Sequence, residues 1–170
     1  MLSDFYGNHL TTSTGLARDS YDIGLRAFLS ANYGAQEAFS QAIEADPNFA
    51  LAYLGLARAF MSSGQVTEAK TALGKAKNLL NGSTSREKSH FLCCELLLSG
   101  KVKKARTAVH RHVSEWPRDA MVAQMSTSVF GLIGFSGETG REIDLLEYTE
   151  RLLPHYGEDW WMVSMHAISL

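Results

Sequence analysis

Cysteine is nearly absent from this sequence: Cys93 and Cys94 are the only two, and they are adjacent. A bridge between neighbours is strained, so a disulfide-built scaffold is excluded, and the pair reads as reduced thiols of a cytoplasmic protein. Proline is as scarce, with three in 170 residues, which excludes a proline-rich linker. Charge of one sign is not in excess: 16 basic against 18 acidic side chains leave −2, which excludes a globally basic nucleic-acid binder. No run reaches the roughly 18 apolar residues of a membrane span. The longest apolar stretches, 91–98 and 160–170, are interrupted by Glu95, Ser164 and His166. Residues 1–7 lack the basic and apolar regions of a secretion leader, so Asn81-Gly82-Ser83 reads as a loop and not as a glycosylation site. Apolar residues are plentiful instead, at 45 %, enough for a sizeable core and too many for a disordered chain.

The sequence is punctuated at a regular interval. Ser-Gly occurs at Ser63-Gly64, Ser99-Gly100 and Ser136-Gly137, spaced by 36 and 37 residues. Pro117 and Pro154 each lie 17 residues beyond one of these glycines, and Pro47 lies 17 residues before Gly64. Asn81-Gly82 stands where the missing proline would fall. All three prolines thus share one phase of a repeat of about 36 residues, the signature of stacked supersecondary units.

Between these marks the apolar spacing is helical. Ala52, Tyr53, Leu56, Ala57 and Phe60 recur at helical intervals, and Ala69, Ala72, Leu73, Ala76 and Leu80 continue after the turn. Thr84-Ser85-Arg86-Glu87 is a capping-box signature, and Phe91, Leu92, Glu95 and Leu96 follow it. Ala105, Ala108, Val109 and Val113 then lead to Trp116-Pro117. Asp46 and Pro117-Arg118-Asp119 read as further helix starts. β-branched alternation is absent. The spacing predicts helix–turn–helix four times, with residues 158–170 as the first helix of a fifth hairpin.

The unit from Ala50 to Ala76 resembles a tetratricopeptide repeat, with Tyr53, Leu56-Ala57, Phe60, Gly64, Ala69, Leu73 and Ala76 in register. Looser copies carry Leu92, Cys93, Leu96, Gly100, Ala105, Val109 and Pro117, then Phe130, Ile133, Gly137, Leu146 and Leu152, and before them Ala35, Phe39, Ala42 and Asp46-Pro47. Small residues at Ala57, Ala69 and Ala76 would let the helices of one unit approach, while Tyr53 and Phe60 fill the gap toward the next. Further stretches, among them Tyr6-Gly7-Asn8, Trp116-Pro117-Arg118-Asp119-Ala120 and Met165-His166-Ala167, are similar to the N-terminal part of tetratricopeptide repeat protein 38-like proteins. The resemblance implies an all-α, right-handed α-solenoid: one domain over residues 1–170, the N-terminal part of a longer array. It adds no catalytic residue.

Constellations that suggest chemistry are weak. His110 and His112 are two apart on a helix and point in different directions. His90, Cys93 and Cys94 share a face but lack a further ligand in phase, so no metal is expected. Gly134, Gly137 and Gly140 follow a helix, not a strand, and match neither nucleotide fingerprint, so no cofactor is expected. The basic run Lys101, Lys103, Lys104, Arg106, Arg111 and Arg118 has no interleaved aromatics for stacking nucleic acid, and it faces an acidic run at Glu138, Glu142, Asp144, Glu147 and Glu150.

The expected functional surface is the concave face lined by first helices. Its inward positions would be Asp22, Arg26 and Leu29, then Leu54, Arg58 and Met61, then His90, Cys94 and Leu97, and finally Gln124 and Thr127. Ile23, Gly55 and Phe91 stand beside it, in place of the cationic set that grips acidic chain ends in some tetratricopeptide proteins. The reading is a non-catalytic scaffold for a protein or peptide partner, with neither nucleic acid nor membrane. The alternatives are a small-ligand or enzymatic module completed by further sequence, and an oligomerisation module. Trp161, Met165 and Ile168 form an apolar stripe that the preceding unit is not expected to cover, which predicts either a fragment of a longer repeat protein or self-association through the last helix.

Overall fold

The computed structural model describes residues 2–170; Met1, the first residue weighed above for a leader, lies outside the described residues. Among the described residues there are nine α-helices: α1 (Gly15–Leu29), α2 (Ala35–Ala45), α3 (Ala50–Ser62), α4 (Val66–Asn78), α5 (Ser85–Leu98), α6 (Val102–Glu115), α7 (Ala120–Ala123), α8 (Arg141–Tyr156) and α9 (Trp160–Ser169). One 3-10 turn, Leu80–Gly82, follows α4. The described residues form no strand, and their β pairing is an isolated bridge between Ser3 and His9. Helices adjacent in sequence pack together: α1 on α2, α2 on α3, α3 on α4 and α8 on α9. This is the expected all-α fold of helical hairpins, and among the described residues no helix is long and apolar enough to cross a membrane.

The Ser-Gly marks are turns between helices. Gly64, Gly100 and Gly137 all have left-handed φ, at 75°, 68° and 71°, and Gly34 does the same for the first hairpin at 93°. Only glycine takes that conformation without strain, which is why one residue type recurs at this phase. Inside the hairpins the small residues do what was expected of them. Ala57, Ala69, Ala76 and Ala105 are fully buried, and Phe39 fills the space between α1 and α3.

The chain forms two compact units, divided at Gly100 and Lys101. The first holds α1 to α5 and the residues before them. Its α5 opens with the predicted capping box: the Glu87 amide donates to the Thr84 hydroxyl at 3.2 Å, and the Thr84 amide donates to the Glu87 carboxylate at 2.7 Å. The second unit holds α6 to α9.

Four local expectations are corrected. First, the fourth hairpin lacks a full first helix, because α7 stops after a single turn at Ala123. The Thr127 hydroxyl bonds back to the Gln124 carbonyl, and the chain folds back so that the Leu132 amide reaches the Met125 carbonyl at 2.8 Å. A side chain at Gly134 would stand 2.4 Å from the Val129 carbonyl, so this fold-back requires glycine. Phe130, placed in phase with the core, is therefore 83 % exposed, while Ile133 is buried. Second, Asp46 ends α2 instead of starting α3. Third, Tyr53 and Phe60 are only half-buried and line an open cleft between α3 and α4. Fourth, Trp161 is buried within the chain, its ring 5.6 Å from that of Tyr156. The exposed apolar side of α9 is carried instead by Trp160, Val163 and Ile168.

Candidate functional site

Helices α1, α3 and α5 carry nine of the expected groove positions, all in the first unit. Arg26 and Met61 are exposed, while Asp22 and Leu97 are half-buried. Leu29, Leu54, Arg58, His90 and Cys94 are buried, so they form the layer beneath the face and not its surface. Arg58 lies 5.3 Å from the Phe28 ring, and its guanidinium is hydrogen-bonded to the Cys94 thiol. Burial pulls the Arg58 guanidinium below its ordinary range, and the neighbouring thiols of Cys94 and Cys93 partly oppose this. In the second unit Gln124 is half-buried just after α7, and Thr127 is buried in the fold-back loop.

What covers α1 and α5 is the segment before α1, residues 2–14. It begins with a tight turn: the Asp4 carboxylate accepts the amides of Tyr6 at 3.0 Å and Asn8 at 2.8 Å, with Gly7 at φ 82°. The chain closes this turn with the Leu10 amide donating to the Leu2 carbonyl at 2.9 Å and then leads to the start of α1. Its aromatic Tyr6 and its Leu10 are both buried. Helix α1 holds the turn, since Asp22 accepts the Phe5 amide at 2.8 Å and the Arg26 guanidinium lies 5.2 Å from the Phe5 ring. Burial raises the Asp22 carboxyl above the usual aspartate range, and the Phe5 amide and Arg18 partly oppose this.

Helix α5 holds the part around Leu10 through two consecutive residues. Arg86 donates to the His9 carbonyl at 2.9 Å. Glu87 accepts the Thr11 amide at 3.1 Å and the Thr11 hydroxyl at 3.0 Å. One Glu87 oxygen therefore closes the helix cap while the other grips the segment. The carboxylate is fully buried, and these four hydrogen bonds replace the water it loses. The Thr12 hydroxyl adds a bond to Asp46 at the end of α2. Backbone groups on both sides of Leu10 are thus read by a cation and an anion, while the leucine side chain is enclosed.

The grip of Arg86 and Glu87 is not visible in the sequence. Glu87 reads there as a cap, and its second oxygen carries no separate signal. The segment 2–14 has no periodicity, and its bonds to α5 span 76 and 77 residues.

The second unit has its own polar cleft of about 440 Å³, lined by Arg106, His110, Glu138, Asp144, Tyr148 and Arg151 among others. Arg106 pairs with Glu138 at 2.7 Å, so the basic and acidic runs do meet, and this bond holds the Glu138 carboxyl below its usual range. Burial lowers His110, and the nearby charges of Arg151 and Arg106 lower it further.

Residues 34–84, from the first turn through α4 to the cap of α5, match the family described as tetratricopeptide repeat. That segment is therefore similar to tetratricopeptide repeats. No curated protein and no solved structure matches it. Tetratricopeptide repeats generally mediate protein–protein interactions as non-catalytic scaffolds, and the matched segment contains the hairpin α3–α4 at the centre of the first unit.

Proposed function

We propose that this chain is a non-catalytic scaffold that binds a protein or peptide partner along the first-helix face of its first unit. One observation carries the reading: that face already holds a stretch of polypeptide through backbone groups, with Asp22 and Glu87 accepting amides and Arg86 donating to a carbonyl. A surface that satisfies the main chain of a bound segment has the chemistry that peptide recognition needs. Arg26, Met61 and Leu97 are the accessible groove positions around it, above the buried layer of Leu29, Leu54, Arg58, His90 and Cys94. Two buried cysteines outside any disulfide suit a reducing, cytoplasmic setting. Membership of the tetratricopeptide repeat protein 38-like group belongs to this proposal and rests on the short stretches quoted above.

Selection of displayed peptides on the full chain tests the reading. Peptides that bind the parent should lose at least tenfold in affinity to the variant carrying Arg26→Glu and Met61→Glu, and little to Lys101→Glu, the residue before α6. Equal affinity for parent and the double variant would remove the proposed face.

Oligomerisation through α9 is a second reading, favoured by the exposure of Trp160, Val163 and Ile168. Light scattering should show a mass that grows with concentration and returns to one chain on Val163→Glu. A concentration-independent single-chain mass removes that reading.

A further inference from the structure

We propose that residues 2–14 are an intramolecular pseudo-ligand that occupies the peptide site, and that the external partner is a segment with the same recognition pattern. The proposal rests on the peptide-binding reading above and adds to it both a control element and a ligand class.

The segment is held as a ligand would be held. Tyr6 and Leu10 are its large buried anchors, and Asp4 and Thr12 are buried on hydrogen bonds, whereas Phe5, Gly7, His9, Thr11 and Ser13 are exposed. Its main chain is fixed on each side of Leu10, by Arg86 at the His9 carbonyl and by Glu87 at the Thr11 amide. The Thr11 hydroxyl shares the same Glu87 oxygen, so a hydroxyl residue after the leucine is read directly. Alternate burial of anchors with backbone bonding between them is how extended peptides dock. Buried charge also argues for exchange over opening. If the segment left with nothing in its place, Glu87 would lose two of its hydrogen bonds and Arg86 a carbonyl partner, so the site favours replacement by another chain with the same groups.

The recognition pattern follows: an aromatic residue, a leucine four positions later, and a serine or threonine directly after it. The tight turn made by Asp4, Gly7 and Asn8 belongs to the pattern, and the aromatic and the leucine on it are both buried. A tethered segment competes at an effective concentration on the order of millimolar, so a free partner gains access only when the tether's own anchors are weakened or its match is better.

The test uses the full chain and, as probe, a fluorescein-labelled synthetic peptide of residues 2–14. Leu10→Ala in the full chain removes the buried anchor of the tether, and Thr11→Val removes only an exposed hydroxyl's bond. Helical circular dichroism verifies that each variant is folded, and Thr11→Val decides alone if Leu10→Ala melts. The Leu10→Ala chain should bind the probe at least tenfold more tightly than the parent, with Thr11→Val between them. A probe carrying alanine in place of its leucine should lose that binding. Equal binding by the parent and both variants, or no binding by any of them, overturns the pseudo-ligand. If library-selected peptides still bind parent and variants alike in that case, the scaffold reading stands without it. If no library peptide binds any chain, the scaffold reading itself fails.

Discussion

Phe39 lies directly on the backbone of Gly55: a methyl group there would sit 2.4 Å from the ring edge. The same ring approaches Gly24 on α1, where a methyl would sit 2.8 Å away. One aromatic side chain of α2 thus keys two neighbouring first helices together, and both glycines are small because the ring is there.

Gly55→Ala should therefore destabilise the first unit by about 1–3 kcal/mol, because overpacking outweighs the gain in helix propensity. Gly74 on α4 makes the contrast, since a methyl there would meet nothing within 4 Å. Gly74→Ala should stabilise by about 0.5–1 kcal/mol. Urea melts of the two variants check the pair. Shifts of the same sign would show that Phe39 can move aside and that the glycine is not a packing requirement.

Ala69 and Ala105 hold equivalent places in their repeats and are both buried, the first in α4 and the second in α6. Replacing either with leucine should cost about 1–3 kcal/mol. Thermal melts within a degree or two of the parent would deny them a close-packing role.

His110 gives the second unit a pH dependence of known sign. Its native pKa lies below that of the unfolded chain, about 6.5, so the native state prefers the neutral ring. Its contribution is present above about 6.5 and is lost as pH falls through the lowered native value. His110→Gln removes this proton linkage. The melting temperature of the parent relative to the variant should fall between pH 8 and 5, and parallel curves would contradict the assignment.

The repeat period is legible because its punctuation is local: a glycine with positive φ is required at each turn, so Gly64, Gly100 and Gly137 recur at one phase. The capping box of Thr84 and Glu87 is legible for the same reason. The break after Ala123 is not, although Ser126, Thr127, Gly131 and Gly134 all stand in the sequence. The apolar phase of Phe130 and Ile133 suggests a helix, and only the fold-back distances at Gly134 show why glycine is needed. At the candidate site, helical phase places Asp22, Arg26 and Met61 on an accessible face, but it cannot separate that face from the layer below. Leu54, His90 and Cys94 have the right phase and no exposed surface. The covering segment stays hidden because Thr11 and Glu87 are 76 residues apart, and no periodic pattern links such a pair.

Amide hydrogen exchange on the full chain tests the central claim most directly. If residues 2–14 are held on the first-helix face, the amides of Phe5, Asn8 and Thr11 are bonded to Asp22, Asp4 and Glu87 and should exchange at least tenfold more slowly than the exposed turn amide of Tyr33. Adding a peptide selected for the face should abolish the protection at Phe5 and Thr11 while leaving α3 and α4 protected. Exchange of Phe5 and Thr11 at the rate of Tyr33 in the free chain, or protection unchanged when the peptide binds, would contradict the account.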